Sequence, residues 1–165
     1  MFPAKYTHRT CLNASPEEVY KWHENPLALR KLTPEKDSVE IIKPAALQEG
    51  SVAHLRIPLL GCCLYVDWLA KLENVKPNKE FSDLQLSGPF RVWKHRHVFA
   101  SVRHNKCEMR DEIEFIVPGG RIVHSVIYPF VLNRMKRVFK HRHKVLIDEF
   151  GEVQPEFLIE DTQKN

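Results

Sequence analysis

No stretch of this chain approaches the roughly 18 consecutive apolar residues of a membrane-spanning helix. The longest apolar run, Ile57 to Val66, is interrupted by Pro58 and Gly61. The opening MFPAKYTHR lacks the charged-then-apolar pattern of a secretory signal. There is no repeat, no low-complexity tract and no clear linker. A nucleophile elbow, a phosphate loop and a dinucleotide fingerprint are all missing, so the commonest motif-borne chemistries have no foothold. Cysteine is sparse: Cys11, Cys62, Cys63 and Cys107. Neighbouring Cys62 and Cys63 are poor bridging partners, and no metal-type spacing links the four. The expectation is reduced thiols in a cytoplasmic protein. A net charge of +4 is too mild to call for nucleic acid.

What is present is one domain's worth of chain: 165 residues, 43% hydrophobic and 28% charged. Lys5 to Asn13 reads as a first strand. In "SPEEVYKWH", Ser15 is an N-cap, Pro16 suits the first helical position and Glu18 completes a capping box. "NPLALRKLTP" predicts a second short helix, opened at Pro26 and stopped before Pro34. Six strand-like runs follow: Val39–Ile42, Ser51–Ile57, Leu64–Val75, Glu80–Ser87, Arg91–Val102 and Cys107–Val117. After "PGG" a long helix is expected over roughly Ser125 to Glu149. Ile127, Val131, Met135, Val138, Phe139, Val145 and Leu146 share one side of it, with Arg142 near the middle. Lys136, Arg137, Lys140 and Lys144 form a basic stripe on the other side. The layout is α+β: an antiparallel sheet whose apolar face the last helix can cover.

The segment "WKHRHVF" places Trp93, His95, His97 and Phe99 on one strand face, since alternate side chains point the same way. The run Cys107 to Phe115 alternates as well. Cys107, Met109, Asp111, Ile113 and Phe115 face in; Glu108, Arg110, Glu112 and Glu114 face out. A hairpin turning near His104 sets Asp111 opposite His97 or His95, with turn type deciding which. Arg142 projects toward the same face from the covering helix. Buried charges of this kind must pair, hold water or bind a polar ligand. One expectation is an Asp111–Arg142 salt bridge with the histidines bonded around it. The other, compatible with it, is a cavity with this cluster as its polar end.

A metal is a further option, because His-x-His on a strand can chelate zinc or iron with Asp111 as third ligand. The nearby arginine disfavours a cation, and no metal or other cofactor is expected. Asp83 and Asp67 are read as surface residues, and Cys62–Cys63 as small buried hydrophobes. The basic stripe is a solvated face by default. Its sharper reading is transient contact with an anionic membrane surface. No aromatic residues interleave with it, which weakens any nucleic-acid role.

"FSDLQLSGPFRVWKHRHVF", "MRDEIEFIVPGG" and "MKRVFKHRHKVL", with the element order, resemble the START-like superfamily (SRPBCC; the pollen-allergen or helix-grip fold). The likeness is to its small bacterial cyclase/dehydrase-type members. It rests on Phe81, Asp83 and Gln85; Gly88, Pro89 and Phe90; Trp93, His95, His97 and Phe99; Asp111; and Arg142 with His143. It implies a seven-stranded antiparallel sheet wrapped around the C-terminal helix, with two short helices between strands 1 and 2. It also implies a single START-like domain over 1–150, followed by an acidic tail over 151–165. Relatives hold lipids, hormones or polyketides between sheet and helix, and some cyclise aromatic products.

The leading expectation is therefore a module that encloses a hydrophobic or amphipathic small molecule. Trp68, Trp93, Phe99, Met109, Ile113, Phe115, Met135 and Phe139 would wall the cavity. His95, His97, Asp111 and Arg142 would orient a polar group. A second expectation is a cyclase/dehydratase-type enzyme. In it His95 or His97 is general base, Asp111 orients the imidazole and Arg142 holds an enolate. That reading requires an imidazole reachable from solvent. A third is an interaction domain with a solid interior. Ligand identity and oligomeric state are not legible.

Overall fold

The computed structural model describes residues 3–59, 64–103 and 105–153. Cys62, Cys63, His104 and most of the acidic tail lie outside them. β1 (Ala4–Leu12) leads into α1 (Pro16–Glu24) and α2 (Pro26–Lys31). A single 3-10 turn at Glu35–Asp37, not foreseen, precedes β2 (Glu40–Lys43). Then come β3 (Val52–Leu59), β4 (Leu64–Lys76), β5 (Glu80–Ser87), β6 (Val92–Arg103), β7 (Lys106–Ile116) and α3 (Gly120–Phe150).

The seven strands form one antiparallel sheet in the order β1-β7-β6-β5-β4-β3-β2. β1 and β2 are consecutive in sequence yet occupy opposite edges, so the chain between them must cross the sheet. α1 and α2 make that crossing. Their ends are fixed locally. Ser15 accepts the Glu18 N–H, and Glu18 accepts the Ser15 N–H at 2.8 Å. Asn25 closes α1 through its backbone and opens α2 by accepting the Leu27 N–H at 2.9 Å. This is the helix-grip fold, with α3 lying over the sheet face.

The β6–β7 hairpin sets the interior. β7 alternates strictly, with Cys107, Met109, Asp111, Ile113 and Phe115 buried, and Val117 just past its end is buried too. The register places His97 opposite Asp111 and His95 opposite Ile113, the first of the two expected pairings. Two apolar clusters form on this face. One gathers Leu12, Val19, Tyr20, Phe81, Phe99, Met109 and Leu146 beneath α1 and the end of α3. The other gathers Ile113, Phe115, Val117, Met135 and Phe139, with Phe90, Trp93 and Tyr128 against it.

α3 begins earlier than expected and is rotated relative to expectation. It starts directly after Gly119, which sits at φ 97° without a side-chain cap. A Cβ there would meet Val123 Cγ1 at 2.8 Å, so glycine is needed for both φ and space. Its buried residues are Met135, Phe139 and Leu146, with Tyr128, Val131, Leu132 and Arg142 half-buried. Ile127, expected inside, is exposed. The inward arc is turned by about 50° from the expected one, at ~100° per residue.

Candidate functional site

The sheet assembles a ring of four polar groups between the two apolar clusters. β5 brings Asp83 directly opposite His95, and β7 brings Asp111 directly opposite His97. His95 donates from Nε2 to Asp111 Oδ1 at 2.9 Å. His97 Nδ1 lies 2.8 Å from the same oxygen, but off the line of a good hydrogen bond. The other nitrogens face Asp83: His95 Nδ1 at 3.3 Å and His97 Nε2 at 3.4 Å from Oδ2. The two imidazoles are 3.8 Å apart between centroids, and Phe81 stacks on His97 at 4.2 Å. His95, His97 and Asp111 are buried.

Charge balance explains how such a ring survives in a core. Burial pushes both carboxyls up, but the two imidazoles outweigh it and hold Asp83 and Asp111 well below the ordinary carboxylate range. Burial pulls His95 down, and the two carboxylates override it and raise its pKa. The donor atoms of Asp83, His95 and His97 lie within 4.8 Å of one another, which also makes them the metal-capable group among the described residues.

Two expectations change. Asp83, read as a surface residue, points inward and closes the ring. β5 hid it by inversion: Phe81 and Asp83 face in, while Leu86 faces out and is exposed. The Asp111–Arg142 bridge is not formed among the described residues. Asp111 is held by the histidines instead, and the Arg142 guanidinium sits over the Phe139 ring at 5.1 Å with its Nε buried and unpartnered. Asp67 is at the surface as expected, paired with His54 and Arg56.

Sequence reasoning also missed two histidines. His23, on α1, donates from Nδ1 to Val19 O at 2.7 Å, and its Nε2 is buried without a partner. Its ring lies 6.5 Å from that of His97, and burial pulls its pKa down to about 4. His8, on β1, is paired across the ladder with Asp111 and also has an unpartnered Nε2. Burial lowers its pKa too. Their places beside the polar ring depend on residues remote in sequence, His97 for His23 and Asp111 for His8.

The predicted apolar wall divides. Ile113, Phe115, Met135 and Phe139 meet around Trp93, whereas Phe99 and Met109 belong to the other cluster, beneath α1. Trp68 joins from β4, edge-on to Trp93 at 4.9 Å, with Phe90 4.8 Å from Trp93. The indole N–H groups of Trp68 and Trp93 are buried without acceptors. Gln85 builds this aromatic corner by bonding both the Phe90 carbonyl, at 2.6 Å, and the Phe90 N–H, at 3.3 Å. A groove of about 320 Å³, lined by Glu24, Pro26 and residues 44–48, is lined by none of these residues.

For general-base chemistry the geometry is unfavourable. His95 and His97 are 5% and 6% exposed, and each faces two carboxylates.

Residues 12–150 match the family model described as Domain of unknown function (DUF8410). The chain is a member of the DUF8410 family. No curated protein matches its sequence significantly. In structure, this DUF8410 domain is similar to the Zhui aromatase/cyclase from Streptomyces sp. R1128. The TM-score is 0.69 at 12% identity, over 89% of this chain and 93% of that one. A START superfamily protein from Mycobacterium smegmatis aligns at TM-score 0.57 and 12% identity, covering 85% and 97%. A nucleoside-diphosphate sugar epimerase from Corynebacterium glutamicum aligns at TM-score 0.65 and 21% identity. That match covers 87% of this chain but 28% of the epimerase. The DUF8410 chain thus has the START-like fold. No helix of the described residues is long and apolar enough to cross a membrane.

Proposed function

We propose that this protein binds an amphipathic small molecule between the sheet and α3. The observation that carries the proposal is the set of buried nitrogens without partners. Seven side-chain nitrogens are in that state among the described residues. Six of them, on His8, His23, Trp68, Trp93, His97 and Arg142, belong to the face between sheet and helix. Buried polar groups are normally bonded, and each left open costs about 1–3 kcal/mol. The indole and guanidinium N–H groups call for acceptor oxygens. The ligand that fits combines an aromatic or aliphatic body, against Trp68, Phe90, Trp93 and Met135, with a carbonyl, carboxylate or phosphate toward Arg142.

The test is a binding series read by tryptophan fluorescence, using fatty acids, phospholipids and polycyclic aromatic ketones. Wild type is expected to respond to an oxygen-bearing apolar compound. Arg142→Met is expected to keep its stability within about 1 kcal/mol, because no ion pair is lost, and to bind at least tenfold more weakly. Unchanged affinity in that variant, or no response across the series, counts against the proposal.

A membrane is a supported source for such a ligand. The outer face of α3 is apolar over its first turns, with Ile122 82%, Val126 61% and Phe130 72% exposed. It then turns basic on the same side with Lys136, Arg137, Lys140 and Lys144. Lys144 pairs with Asp148; the other three form no ion pair among the described residues. An apolar patch beside a basic one suits an anionic bilayer surface. Sedimentation with phosphatidylserine vesicles is expected, with loss in Phe130→Asp and in high salt. Equal binding to neutral vesicles removes the electrostatic part.

A further inference from the structure

We infer that Asp83 Oδ2, His95 Nδ1 and His97 Nε2 form a binding site for a divalent transition metal of the zinc or iron(II) class. Asp111 supports the two histidines from behind. The ring is not symmetric. On the Asp111 side the nitrogen–oxygen distances are 2.9 Å, a hydrogen bond from His95, and 2.8 Å, a close ion-pair contact with His97. On the Asp83 side they are 3.3 and 3.4 Å, long for such bonds between buried charged groups. They match the spacing between two ligands of one tetrahedral ion. Metal–ligand bonds of about 2.0–2.1 Å subtend edges of about 3.3–3.4 Å.

The tautomers agree with this assignment. A histidine that ligates through one nitrogen usually donates the other N–H to a carboxylate or carbonyl. His95 does so through Nε2 to Asp111 Oδ1, while His97 Nδ1 lies 2.8 Å from the same oxygen without hydrogen-bond alignment. Each then turns its remaining nitrogen to Asp83. The charge also fits. A divalent ion between neutral imidazoles would compensate the two carboxylates in place of the imidazoles' own charge. Two nitrogens and one oxygen suit zinc or iron(II) better than calcium or magnesium. Three protein donors leave a fourth position for water or an oxygen of a bound molecule. The donors stand on the adjacent strands β5 and β6, and Phe81 packs on the His97 ring at 4.2 Å, so the geometry is largely set before binding. From the sequence, Asp111 is the expected third ligand and the nearby arginine disfavours a metal. The structure puts Asp83 in that position.

The experiment uses the full chain, stripped with chelator and titrated with cobalt(II) as a coloured probe. Visible d–d absorption is expected to saturate at one ion per chain, and zinc(II) to abolish it. Asp83→Asn and His97→Gln remove a ligand and are expected to weaken binding by well over tenfold. Asp111→Asn, which removes only the negative charge behind the histidines, should weaken it by roughly 10–100-fold. Circular dichroism establishes that each variant is folded. Wild type that takes up less than one cobalt(II) per chain overturns the inference. So does uptake that persists undiminished in Asp83→Asn, which would place the ion on other histidines of the surface. The inference is independent of the amphipathic ligand, since metal uptake is read on protein extracted free of organic molecules.

Discussion

At the residue scale, burial decides which polar pairs matter. Asp111 and Asp67 each engage two cationic or imidazole partners, yet Asp111 is buried and Asp67 is exposed. Removing one member of a buried set leaves the others uncompensated. Asp111→Ala is therefore expected to cost about 3–5 kcal/mol in urea denaturation. Asp67→Ala should cost less than about 1 kcal/mol, because water and salt screen its partners. His23 supplies a pH signature. Its pKa is about 4 in the folded chain against 6.5 for a free histidine. Above pH 6.5 it is neutral in both states and contributes nothing to the pH dependence. Between 6.5 and 4 only the unfolded chain takes up the proton, so stability falls as pH drops through that window. The difference in unfolding free energy between wild type and His23→Leu should slope across that window and be flat above it. A difference with no slope would mean that His23 is solvated. His97, Asp111 and Arg142 all bear on this imidazole, as does the Val19 carbonyl, so the comparison is made between two proteins that share them.

At the element scale, the sequence announces most of the fold and conceals part of the site. β7 is legible because, Asp111 apart, its charges and apolar groups alternate over 107–115. α1 is legible because Ser15, Pro16 and Glu18 state its start; Ser15→Ala should cost about 1 kcal/mol in thermal or urea unfolding. β5 is not legible in the same way. It turns an aspartate inward and a leucine outward, which reverses the pattern that strand reading relies on. Such a reversal is expected where a site overrides the core, and it is where Asp83 was lost. α3 misleads for a related reason. Its outward face carries Ile122, Val126 and Phe130, so the apolar residues do not single out one side. The expected start at Ser125 also failed, because two glycines rather than a capping side chain open the helix. The true inward side is marked by Phe139, which touches Tyr6, His8 and His95. Phe139→Ala is expected to cost about 3–5 kcal/mol, whereas Ile122→Ala should leave the unfolding midpoint almost unchanged.

At the scale of the whole molecule, the two apolar clusters and the polar ring between them make one interior with unlike ends. The end near Phe90, Trp68 and Trp93 is aromatic, with open N–H groups; the end beneath α1 is a closed core. A ligand that satisfies the open donors binds the folded chain alone and raises its stability. The gain is about 2.7 kcal/mol at a ligand concentration a hundred times Kd. The most direct test is native mass spectrometry of the gently purified chain, compared with the same sample under denaturing conditions. A discrete mass excess from an organic molecule is expected, present in the native spectrum, absent after denaturation and lost in Arg142→Met. A native mass equal to that of the bare chain, or to the chain plus metal alone, in protein that also ignores every compound of the binding series, would contradict the proposed binding.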